Sequence, residues 1–594
     1  MTKDWKLKPE IPLEFKDKFP HISSLVLQLL YNRGLKEKEE IESFLNTSYE
    51  EGLYSPFLFQ DMEKAVARIW QAIESEEKIW IYGDYDADAV TANAVLQQTF
   101  SYLGKEVHSY IPDRFTEGYG VNMEAIESIK NQGAKIIITV DCGTNSTEAA
   151  EFCKKNGVDF IITDHHEIIG PRPEAFALIN PKDPETKYPF SEITGVGVAF
   201  KLACGILQRI EGRGVMVETD ALRLASARSG QPSTYVEGWE KWLLDLVAIG
   251  TVADCHELIS ENRTLVKYGL KVLAKTKWTG LKALCIQAYL DFSKKKPDTY
   301  TLGFVVAPRL NAAGRLEHAS IALELLLEKD LVSAQQKAIA LEQINKRRQD
   351  ITASVLDEAR EKALGLQDRK VLALMGEDWP KGVVGLVAGK LAEEFKKPTF
   401  ILSQTGTEAT GSARGTGDFS VIEALKYSQD LLLRFGGHQQ AAGLTLLSEN
   451  FPIFYEKLSE YAEKNLATNL EQPTFELEAQ VQASSLSLEV LKEIEKLEPF
   501  GLGNPVPKFL VSGLRVKTLK TVGSASQHLQ LVLEAQGKSF KAIAFSKAES
   551  FSALRIGDSL DIAAELLEDS WNGALELKLK VLDVKIHPST ISGV

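Results

Sequence analysis

Three carboxylates stand close together near the start of the chain, at Asp84, Asp86 and Asp88 in the stretch KIWIYGDYDADAVTA. The apolar run IWIY before them is typical of a buried strand and the segment after them of a helix, which predicts a strand-to-helix loop. At about 4 Å and an effective dielectric constant near 20, each close pair of carboxylates costs on the order of 4 kcal/mol. Bound cations would remove this repulsion, so the spacing favours metal chemistry over a solvated acidic turn.

Further acids and imidazoles follow other apolar runs. Asp141 comes after KIIITV, and Asp254 comes after LLDLVAIGT. The run VDFIIT leads directly into Asp164, His165 and His166. A single histidine is usually a packing or surface residue, but an adjacent Asp-His-His at a strand end, in a chain of nine histidines, indicates a site. Carboxylate oxygens mixed with imidazole nitrogens suit Mn²⁺ or Mg²⁺ better than structural zinc, whose closed sites are rich in sulfur.

The elements that must position these groups follow an alternating pattern. From residue 77 onward, β-rich apolar runs alternate with helical stretches, which predicts a mainly parallel sheet. The runs that we interpret as its strands lie at 78–82, 106–111, 135–140, 158–163 and 176–180. In open sheets of this kind, ligands gather outside the carboxyl ends of the strands. The acids and imidazoles at those ends are therefore expected to meet.

Composition and charge narrow the function classes. The 594 residues are 44% hydrophobic and 25% charged, as in an ordinary globular protein, and this length predicts about three or four domains. The net charge of −14 argues against a surface that coats nucleic acid, so a polyanionic substrate would have to be held by local groups. The sequence has no membrane-length apolar run and no signal-peptide pattern at its start, so we expect a cytoplasmic protein with no membrane contact. Its five cysteines are scattered, so we expect reduced thiols.

Helical patterns precede and follow the predicted sheet. Residues 23–31 and 37–45 indicate two short helices at the start. Residues 331–363 lack Gly and Pro and carry apolar residues at helical spacing, which predicts one long helix; its basic run KRR at 346–348 is either a DNA-facing surface or a solvated face. The domain boundaries that we predict are 1–75, 76–320, 321–365, 366–465 and 466–594.

The sequence after the predicted long helix indicates two more domains. A second α/β pattern begins at residue 370, and its segment GSARGTG places Ser412 and Arg414 on a glycine-flanked loop where backbone amides can approach an anion. From about residue 472, short strands alternate with turns, which suggests a small barrel.

The ordered motifs resemble those of a known enzyme superfamily. The DYDAD, VDCGT, DHH and GTVAD motifs are similar to the four motifs of the DHH phosphoesterases. IPDRFTEGYG at 111–120, PRLNAAGR at 308–315, GGHQQAAG at 436–443 and LEPFGLGNPVP at 497–507 resemble signatures of its bacterial RecJ branch, the single-strand-specific DNA exonucleases. Ala89 stands where this branch usually has Gly, so the backbone there must accept a β-carbon. The segment 211–240 looks like an insertion.

The resemblance implies both a fold and an activity. The fold is α/β: a parallel-sheet DHH phosphoesterase domain and a DHH-associated α/β domain joined by the long helix, plus a C-terminal OB-like β-barrel. In this barrel, Phe545 and Trp571 are candidates for base stacking, with a place in the buried core as the alternative for either. The activity is metal-dependent hydrolysis of single-stranded DNA from 5′ to 3′, in DNA repair and recombination, with two Mn²⁺ or Mg²⁺ ions. Single-stranded DNA with a 5′ end is the expected substrate. A helicase and a single-strand-binding protein are the expected partners of a monomer.

Site residues follow from the matched motifs. The expected metal ligands are Asp84, Asp86, Asp88, Asp141, His165, His166 and Asp254. All of these except Asp84 are also expected to act in catalysis, with contact to the scissile phosphate as the alternative for His166. Asp164 is expected to orient a histidine from behind the ligands. The residues expected to bind DNA are Arg114, Tyr119, Arg309, Arg315, Ser412, Arg414 and His438. Positions matching Ser412 and Arg414 contact DNA near the 5′ phosphate in similar proteins, and His438 is expected to point into the cleft between the two α/β domains.

Three other functions fit part of the sequence. A phosphodiesterase of cyclic dinucleotides or short oligonucleotides, or a pyrophosphatase, would leave the long helix and the barrel unexplained. A non-catalytic replication scaffold would have no need to retain every motif acid and histidine. A pure single-strand binding module would gain nothing from acids that face a polyanion.

Overall fold

The computed structural model describes residues 4–210, 237–466, 474–571 and 574–587, and most of the 211–240 segment therefore lies outside the described residues. The chain forms two compact units. Unit 1 comprises residues 1–52, 257–260 and 470–594, and unit 2 comprises residues 53–256 and 261–469. Among the described helices, none has the length and apolar character that crossing a membrane requires.

Unit 1 begins with a short strand and three helices: β1 (Trp5–Leu7), α1 (Leu13–Lys18), α2 (Ser24–Asn32) and α3 (Lys38–Asn46). The two predicted helices are confirmed as α2 and α3. Ser23 caps α2 by accepting a hydrogen bond from the backbone N–H of Val26. The turn signal after α2 is confirmed at Gly34, whose φ of +82° favours glycine.

Unit 2 begins with a sheet of five parallel strands in the order β3-β2-β4-β5-β6. All five predicted strands are confirmed. Strands β2, β4 and β6 are fully buried, because helices cover both faces of the sheet. The elements of this part are α4 (Met62–Glu74), β2 (Ile79–Gly83), α5 (Ala87–Tyr102), β3 (His108–Tyr110), α6 (Met123–Asn131), β4 (Ile136–Val140), α7 (Thr147–Lys155), β5 (Asp159–Thr163), β6 (Ala177–Ile179) and α8 (Gly195–Gln208).

A helical block follows the sheet. The predicted long helix is confirmed as one element of 34 residues, which Asp330 caps by accepting from the Ser333 N–H at 2.8 Å. The apolar run before Asp254 forms a buried helix. The helices are α9 (Leu244–Ala253), α10 (Ser260–Leu273), α11 (Thr279–Gln287), a π-helix (Thr301–Val306), α12 (Ala307–Leu316), α13 (Ser320–Leu327) and the long helix α14 (Leu331–Leu364).

The second sheet of unit 2 has the order β10-β11-β9-β8-β7, with β7 and β8 parallel and the other neighbours antiparallel. Ser412 and Arg414 lie on strand β9 and not on a loop, so that prediction was wrong. The reason is the alternation around them: Ala409, Gly411 and Ala413 are buried at every second position, as a strand requires. The elements are β7 (Leu372–Glu377), α15 (Lys381–Phe395), β8 (Thr399–Thr405), β9 (Glu408–Arg414), α16 (Val421–Tyr427), β10 (Leu432–Gly437), β11 (Ala441–Leu447) and α17 (Phe451–Asn465).

The C-terminal part of unit 1 is the expected small barrel. Strand β14 pairs with β15 on one side and with β17 on the other, which closes five strands into a barrel. The N-terminal helices, expected as a region of their own, share its core: Phe15 and Leu27 belong to the same hydrophobic cluster as Phe509 and Leu531. The elements are β12 (Phe475–Leu477), β13 (Ala479–Val481), α18 (Leu488–Glu495), β14 (Phe509–Val522), β15 (His528–Ala535), β16 (Lys538–Ala544), β17 (Ser559–Trp571) and β18 (Ala574–His587).

Candidate metal centre

The parallel strands bring the motif acids to one edge of the first sheet. Asp84 follows β2, Asp141 follows β4 and Asp164 follows β5. The register pairs Gly83 with Val140 and Val140 with Thr163, so these three strands end level with one another. The acids at the strand ends therefore meet at one edge, as the alternating pattern predicted.

Asp141 is held in an unusual backbone conformation. Its φ is +60°, a left-handed value, and its N–H donates to the carbonyl oxygen of Thr163 at 3.0 Å. Its Oδ1 lies 3.1 Å from Nε2 of His165, but this oxygen is buried and has no hydrogen-bond partner in the described structure. A β-carbon on Gly195 would lie 2.4 Å from the same oxygen, so only glycine fits there.

Asp164 holds the adjacent histidine. Its Oδ1 lies 2.7 Å from Nδ1 of His166, and its Oδ2 accepts from the N–H of Thr144 at 2.9 Å. Burial acts to raise the pKa of Asp164, but the hydrogen bond with His166, the charges of His166 and His165 and the hydrogen bond from Thr144 together lower it. Nε2 of His166 lies 3.0 Å from the hydroxyl of Tyr119. Both ring nitrogens of His166 are therefore engaged, in the way expected of a histidine that Asp164 orients.

His256 is a site residue that the sequence analysis missed. Asp254 ends helix α9, and its Oδ2 lies 3.1 Å from Nε2 of His256 and 3.7 Å from Nε2 of His165. Nδ1 of His256 lies 2.9 Å from the carbonyl oxygen of Glu192. A histidine two residues beyond a predicted acid was the signal available in the sequence.

The DYDAD carboxylates have different roles in the structure. Asp86 caps helix α5, and its Oδ1 accepts from the N–H groups of Asp88 and Ala89. The two oxygens of Asp88 accept from the N–H groups of Gly195 and Val196 at 2.8 and 3.0 Å, at the start of helix α8. Ala89 lies within the regular helix α5, which is why a β-carbon is accepted there.

The loop that carries these aspartates rests on helix α12. Oδ1 of Asn311 accepts from the N–H of Ala87 at 2.9 Å. A β-carbon on Gly314 would lie 2.4 Å from the carbonyl oxygen of Tyr85, so the helix approaches the loop through glycine. Asn311, in the PRLNAAGR motif, was not predicted as a site residue. Its position explains one part of that motif.

Burial and mutual repulsion dominate the electrostatics of the acids. Burial and the charge of Asp86 raise the pKa of Asp84 to about 8. Burial and neighbouring carboxylates also raise the pKa of Asp88 and of Asp141 well above the usual range. Burial lowers the pKa of His165 to about 4, so this imidazole is neutral at pH 7. A site with neutral imidazole and crowded carboxylates calls for a cation.

The donor set fits such a cation. Two groups of residues could each hold a metal ion, because the ligand atoms within each group all lie within 4.8 Å of one another. The first group is Asp141, Asp164, His165 and His166, and the second is His165, Asp254 and His256. Among the described residues Asp84, Asp86 and Asp88 fall outside both groups. Asp84 Oδ1, Asp141 Oδ1 and His165 Nδ1 are buried without a hydrogen-bond partner among the residues that the structure describes. Carboxylate oxygens and imidazoles with unused bonding capacity are the ligands that Mn²⁺ and Mg²⁺ accept.

Four arginines of unit 2 form a second feature, the arginine group: Arg114, Arg315, Arg348 and Arg414. None of the four forms an ion pair within the part of the chain that the structure describes. The guanidinium of Arg114 lies over the ring of Tyr85 at 3.9 Å. Burial, followed by the charges of Arg114 and Arg348, lowers the pKa of Arg315 to about 10. Mutual repulsion among cations indicates a place for an anion.

Helix α15 and strand β9 supply polar contacts to two members of the arginine group, Arg315 and Arg414. Nη1 of Arg315 donates to the carbonyl oxygen of Gly382 at 3.2 Å, in the first turn of α15. Nη1 of Arg414 donates to Oγ of Ser412 at 3.0 Å. A β-carbon on Gly385 would lie 3.3 Å from Nη2 of Arg414, so the same helix also lies against this arginine. Backbone amides at the start of a helix favour anions as well.

The other residues expected to bind DNA are placed elsewhere. Arg309 is held in an ion pair with Glu342 at 2.6 Å. His438 is exposed in the turn between β10 and β11. In unit 1, Phe545 is half exposed and lies edge-on to His528. The side chain of Trp571 lies outside the described residues.

Comparisons with known proteins cover nearly the whole chain. Family models match in order: the DHH family N-terminal domain over residues 78–251, the DHHA1 domain over 368–464 and the RecJ OB domain over 477–583. The single-stranded-DNA-specific exonuclease RecJ of Bacillus subtilis (strain 168) is 36% identical over 570 residues, which are 95% of this chain and 68% of that protein. The protein of the same name from Escherichia coli (strain K12) is 30% identical over 525 residues, covering 86% of this chain and 87% of that one.

Solved structures agree with this match. RecJ from Thermus thermophilus in complex with Mn²⁺ superposes with a TM-score of 0.78 at 27% identity, covering 99% of this chain and 80% of that chain. Its complex with Mg²⁺ superposes with a TM-score of 0.72 over 98% of this chain and 78% of that chain. Similarity of this extent, through all three matched domains in order, shows that the chain belongs to the RecJ family of the DHH superfamily.

Proposed function

We propose that this protein is a metal-dependent exonuclease that hydrolyses phosphodiester bonds of single-stranded DNA from the 5′ end towards the 3′ end, in DNA repair and recombination. Its relatives are named single-stranded-DNA-specific exonucleases, and two of the solved relatives hold Mn²⁺ or Mg²⁺. When bound, two divalent cations would supply the Lewis acidity that activates water and stabilises the leaving oxygen.

One observation carries this proposal. Two His-Asp groups share His165 at the carboxyl edge of the first sheet, with orphaned buried atoms on Asp141 and His165. A scaffold or a binding module gains nothing from such a site, because buried carboxylates repel the phosphates of a nucleic acid unless cations lie between them. Asp141, His165 and Asp254 are the ligands that this geometry supports best. Asp84 and Asp86 are proposed as further ligands of the same centre.

His166 is better suited to the phosphate than to a metal. Its hydrogen bond with Asp164 raises the pKa of His166, although burial alone would lower it. With Nδ1 held by Asp164 and Nε2 beside Tyr119, the ring presents positive charge in a fixed orientation. We therefore assign to His166 and Tyr119 contact with the scissile phosphate. Asp88 is assigned to positioning helix α8, since both its oxygens bind that helix.

The arginine group supports a 5′ end site. Arginine is permanently charged and offers a planar fork that matches phosphate oxygens. The proposal places a terminal phosphate among Arg114, Arg315, Ser412 and Arg414. These residues and the metal centre both belong to unit 2, and the charge of Arg114 acts against the raised pKa of Asp84, so the arginine group and the acids influence each other directly. A terminal phosphate held by arginines that act directly on the acids of the metal centre favours cleavage close to that end of the strand.

Partners and location complete the proposal. A helicase that supplies single strands and a single-strand-binding protein are the proposed partners. The protein is proposed to act as a monomer in the cytoplasm.

The test is a digestion assay with a variant that keeps the backbone of Asp141. Asparagine tolerates a left-handed φ better than alanine does, so Asp141→Asn removes the charge with little added strain. The wild type should digest labelled single strands with Mn²⁺ or Mg²⁺, stop with a chelator and act slowly on blunt duplex. Asp141→Asn should fold and lose about a hundredfold or more in turnover, because metal-assisted stabilisation is worth several kcal/mol. Near-normal turnover of the variant with Mn²⁺, or equal digestion of duplex, would refute the proposal.

A further inference from the structure

The orientation of His256 is set by a backbone carbonyl. Nδ1 lies 2.9 Å from the carbonyl oxygen of Glu192, and a carbonyl oxygen can only accept a hydrogen bond, so Nδ1 carries the hydrogen. The same carbonyl accepts from Nδ2 of Asn262 at 2.6 Å, which holds it in place. In the neutral ring, Nε2 is therefore the atom with the free lone pair.

That lone pair faces a carboxylate. Nε2 of His256 lies 3.1 Å from Oδ2 of Asp254, and Nε2 of His165 lies 3.7 Å from the same oxygen. Two acceptors at this distance repel each other unless a proton or a cation lies between them. Asp254, His165 and His256 thus bring three potential ligand atoms together in one place, all within 4.8 Å of one another.

The separations match a shared cation. Ligand atoms lie about 2.0 to 2.2 Å from Mg²⁺ or a similar ion, so neighbouring octahedral ligands are about 3 Å apart and opposite ones about 4.2 Å. We propose that His256 is a metal ligand that completes, with His165 and Asp254, one cation position of the centre. This inference rests on the proposed metal-dependent function. The hydrogen bond from Nδ1 to a carbonyl is the usual support of a metal-binding histidine.

A second imidazole at one position changes the preference among metals. Imidazole nitrogen suits Mn²⁺ better than Mg²⁺, which prefers oxygen and keeps its water. His256 should therefore favour Mn²⁺. Its removal should weaken the binding of Mn²⁺ more than the binding of Mg²⁺.

The test measures metal binding to the full-length, metal-free protein without DNA. Mn²⁺ is titrated into the wild type and into the variants His256→Leu and His256→Gln, and the free Mn²⁺ is measured by electron paramagnetic resonance. The control variant is His21→Leu, which replaces an exposed histidine. Both His256 variants should bind at least about tenfold more weakly, since even groups that only support a ligand have effects of this size. When Mg²⁺ competes with Mn²⁺, both His256 variants should show a smaller preference for Mn²⁺ over Mg²⁺ than the wild type does. Pulsed spectra should show weaker nitrogen coupling than in the wild type, and His21→Leu should match the wild type.

Three outcomes separate the explanations. Wild-type Mn²⁺ affinity and nitrogen coupling in His256→Leu would overturn the inference. The variant His256→Gln can still donate a hydrogen bond to Asp254. If it keeps the full Mn²⁺ affinity of the wild type, the inference is overturned in favour of a positioning role for His256. A wild type that binds no Mn²⁺ at all would refute the proposed function itself. Far-ultraviolet circular dichroism of the metal-free variants checks that each one folds.

Discussion

The buried acids of the metal centre lower the stability of the metal-free protein. Asp84 is 2% exposed, its Oδ1 has no hydrogen-bond partner within the described ranges, and its pKa is raised to about 8. A carboxyl group whose pKa is raised on folding binds a proton more readily in the native state than in the unfolded state. Cations relieve this cost when they bind. The stability of the protein should therefore depend on pH and on metal together.

The metal-free protein should lose stability as pH rises between about 6.5 and 9. The native state then holds more protons than the unfolded state, so the free energy of unfolding falls as Asp84 ionises near pH 8. The raised pKa values of His166 and His256 act in the same direction, and His165, with a pKa of about 4, titrates below this window. Melting temperatures in chelator should fall across the window, and less so in Asp84→Asn or with Mn²⁺. A midpoint that stays constant or rises would contradict the assignment.

Arg414 should read the terminal phosphate. A charge-assisted contact is worth about 1.5 to 3 kcal/mol, so Arg414→Ala should weaken binding of 5′-phosphorylated oligonucleotides roughly ten- to a hundredfold. From the sequence alone, Arg414 could instead pair with the nearby Asp418 on the surface. The structure gives this pairing no support, since the described contacts of Arg414 are with Ser412 and the Ala413 carbonyl. Comparing 5′-phosphate with 5′-hydroxyl substrates should show a smaller preference in the variant.

The control for this comparison is Arg360→Ala, which removes a partly exposed arginine paired with Glu394. It should leave the preference for phosphate unchanged. An equal loss on both substrates in Arg414→Ala, or digestion from the 3′ end, would show that Arg414 does not read the 5′ end.

Helix α15 is placed against the arginine group by a glycine. A β-carbon on Gly382 would lie 1.8 Å from the carbonyl oxygen of Arg315, so the first turn of α15 contacts the backbone of α12 directly. Helix α12 in turn carries Asn311 and Gly314, which contact the DYDAD loop. Two helices thus connect the second α/β sheet to the metal centre through backbone contacts.

Gly382→Ala and Gly389→Ala test this contact within one helix. Alanine usually stabilises a helix by about 0.5 to 1 kcal/mol relative to glycine. Among the described residues, nothing outside the backbone of the helix itself lies within 4 Å of a β-carbon at Gly389. Gly389→Ala should therefore raise the melting temperature. Gly382→Ala should lower it, because the new methyl group cannot fit beside Arg315, and should reduce the preference for 5′-phosphate. Equal stabilisation by both substitutions would refute the close approach.

The two units are built from the chain in different ways. Unit 2 is nearly continuous in sequence, whereas unit 1 joins both chain ends in one hydrophobic core. A buried ion pair also joins the two ends of the chain in unit 1: Arg33 lies 3.1 Å from Glu478, and their side chains are 6% and 8% exposed. Arg33 also donates to Oδ1 of Asn504 at 2.7 Å. The N-terminal helices therefore share the core of the barrel and are tied to the C-terminal segment by buried polar contacts.

Arg33→Ala should destabilise unit 1 by about 3 to 5 kcal/mol, because Glu478 would remain buried without its partner. Hydrogen exchange of strand β14 should become faster. The double variant Arg33→Met with Glu478→Met should recover much of the loss, since an apolar pair leaves no buried charge. The surface control Arg360→Ala should cost no more than about 1 kcal/mol. Unchanged exchange in Arg33→Ala would show that the pair does not stabilise the core.

Local pattern was enough to predict much of this protein. The five parallel strands, the long helix, and the acids and histidines at the strand ends all depend on the period of apolar residues over short windows, which is set by backbone geometry. The ordered motifs supplied the superfamily. The roles of the cationic residues were harder to predict, because Arg309 and Arg414 carry the same charge in the sequence. In the structure, Arg309 is paired with Glu342, whereas Arg414 has no carboxylate partner among the described residues.

Only the tertiary structure decided which groups meet across long stretches of chain. His256 becomes part of the site because Glu192, 64 residues earlier, presents a carbonyl to it, and Asn311 because it reaches Ala87, 224 residues away. Strand β9 carries Ser412 and Arg414 because two neighbouring strands pair with it. Such contacts follow no period along the chain. The sequence by itself determined most of the residues that could do chemistry and the strand ends at which many of them lie. The packing of distant segments decided which of them act together, because hydrogen bonds and burial depend on position in space and not on spacing along the chain.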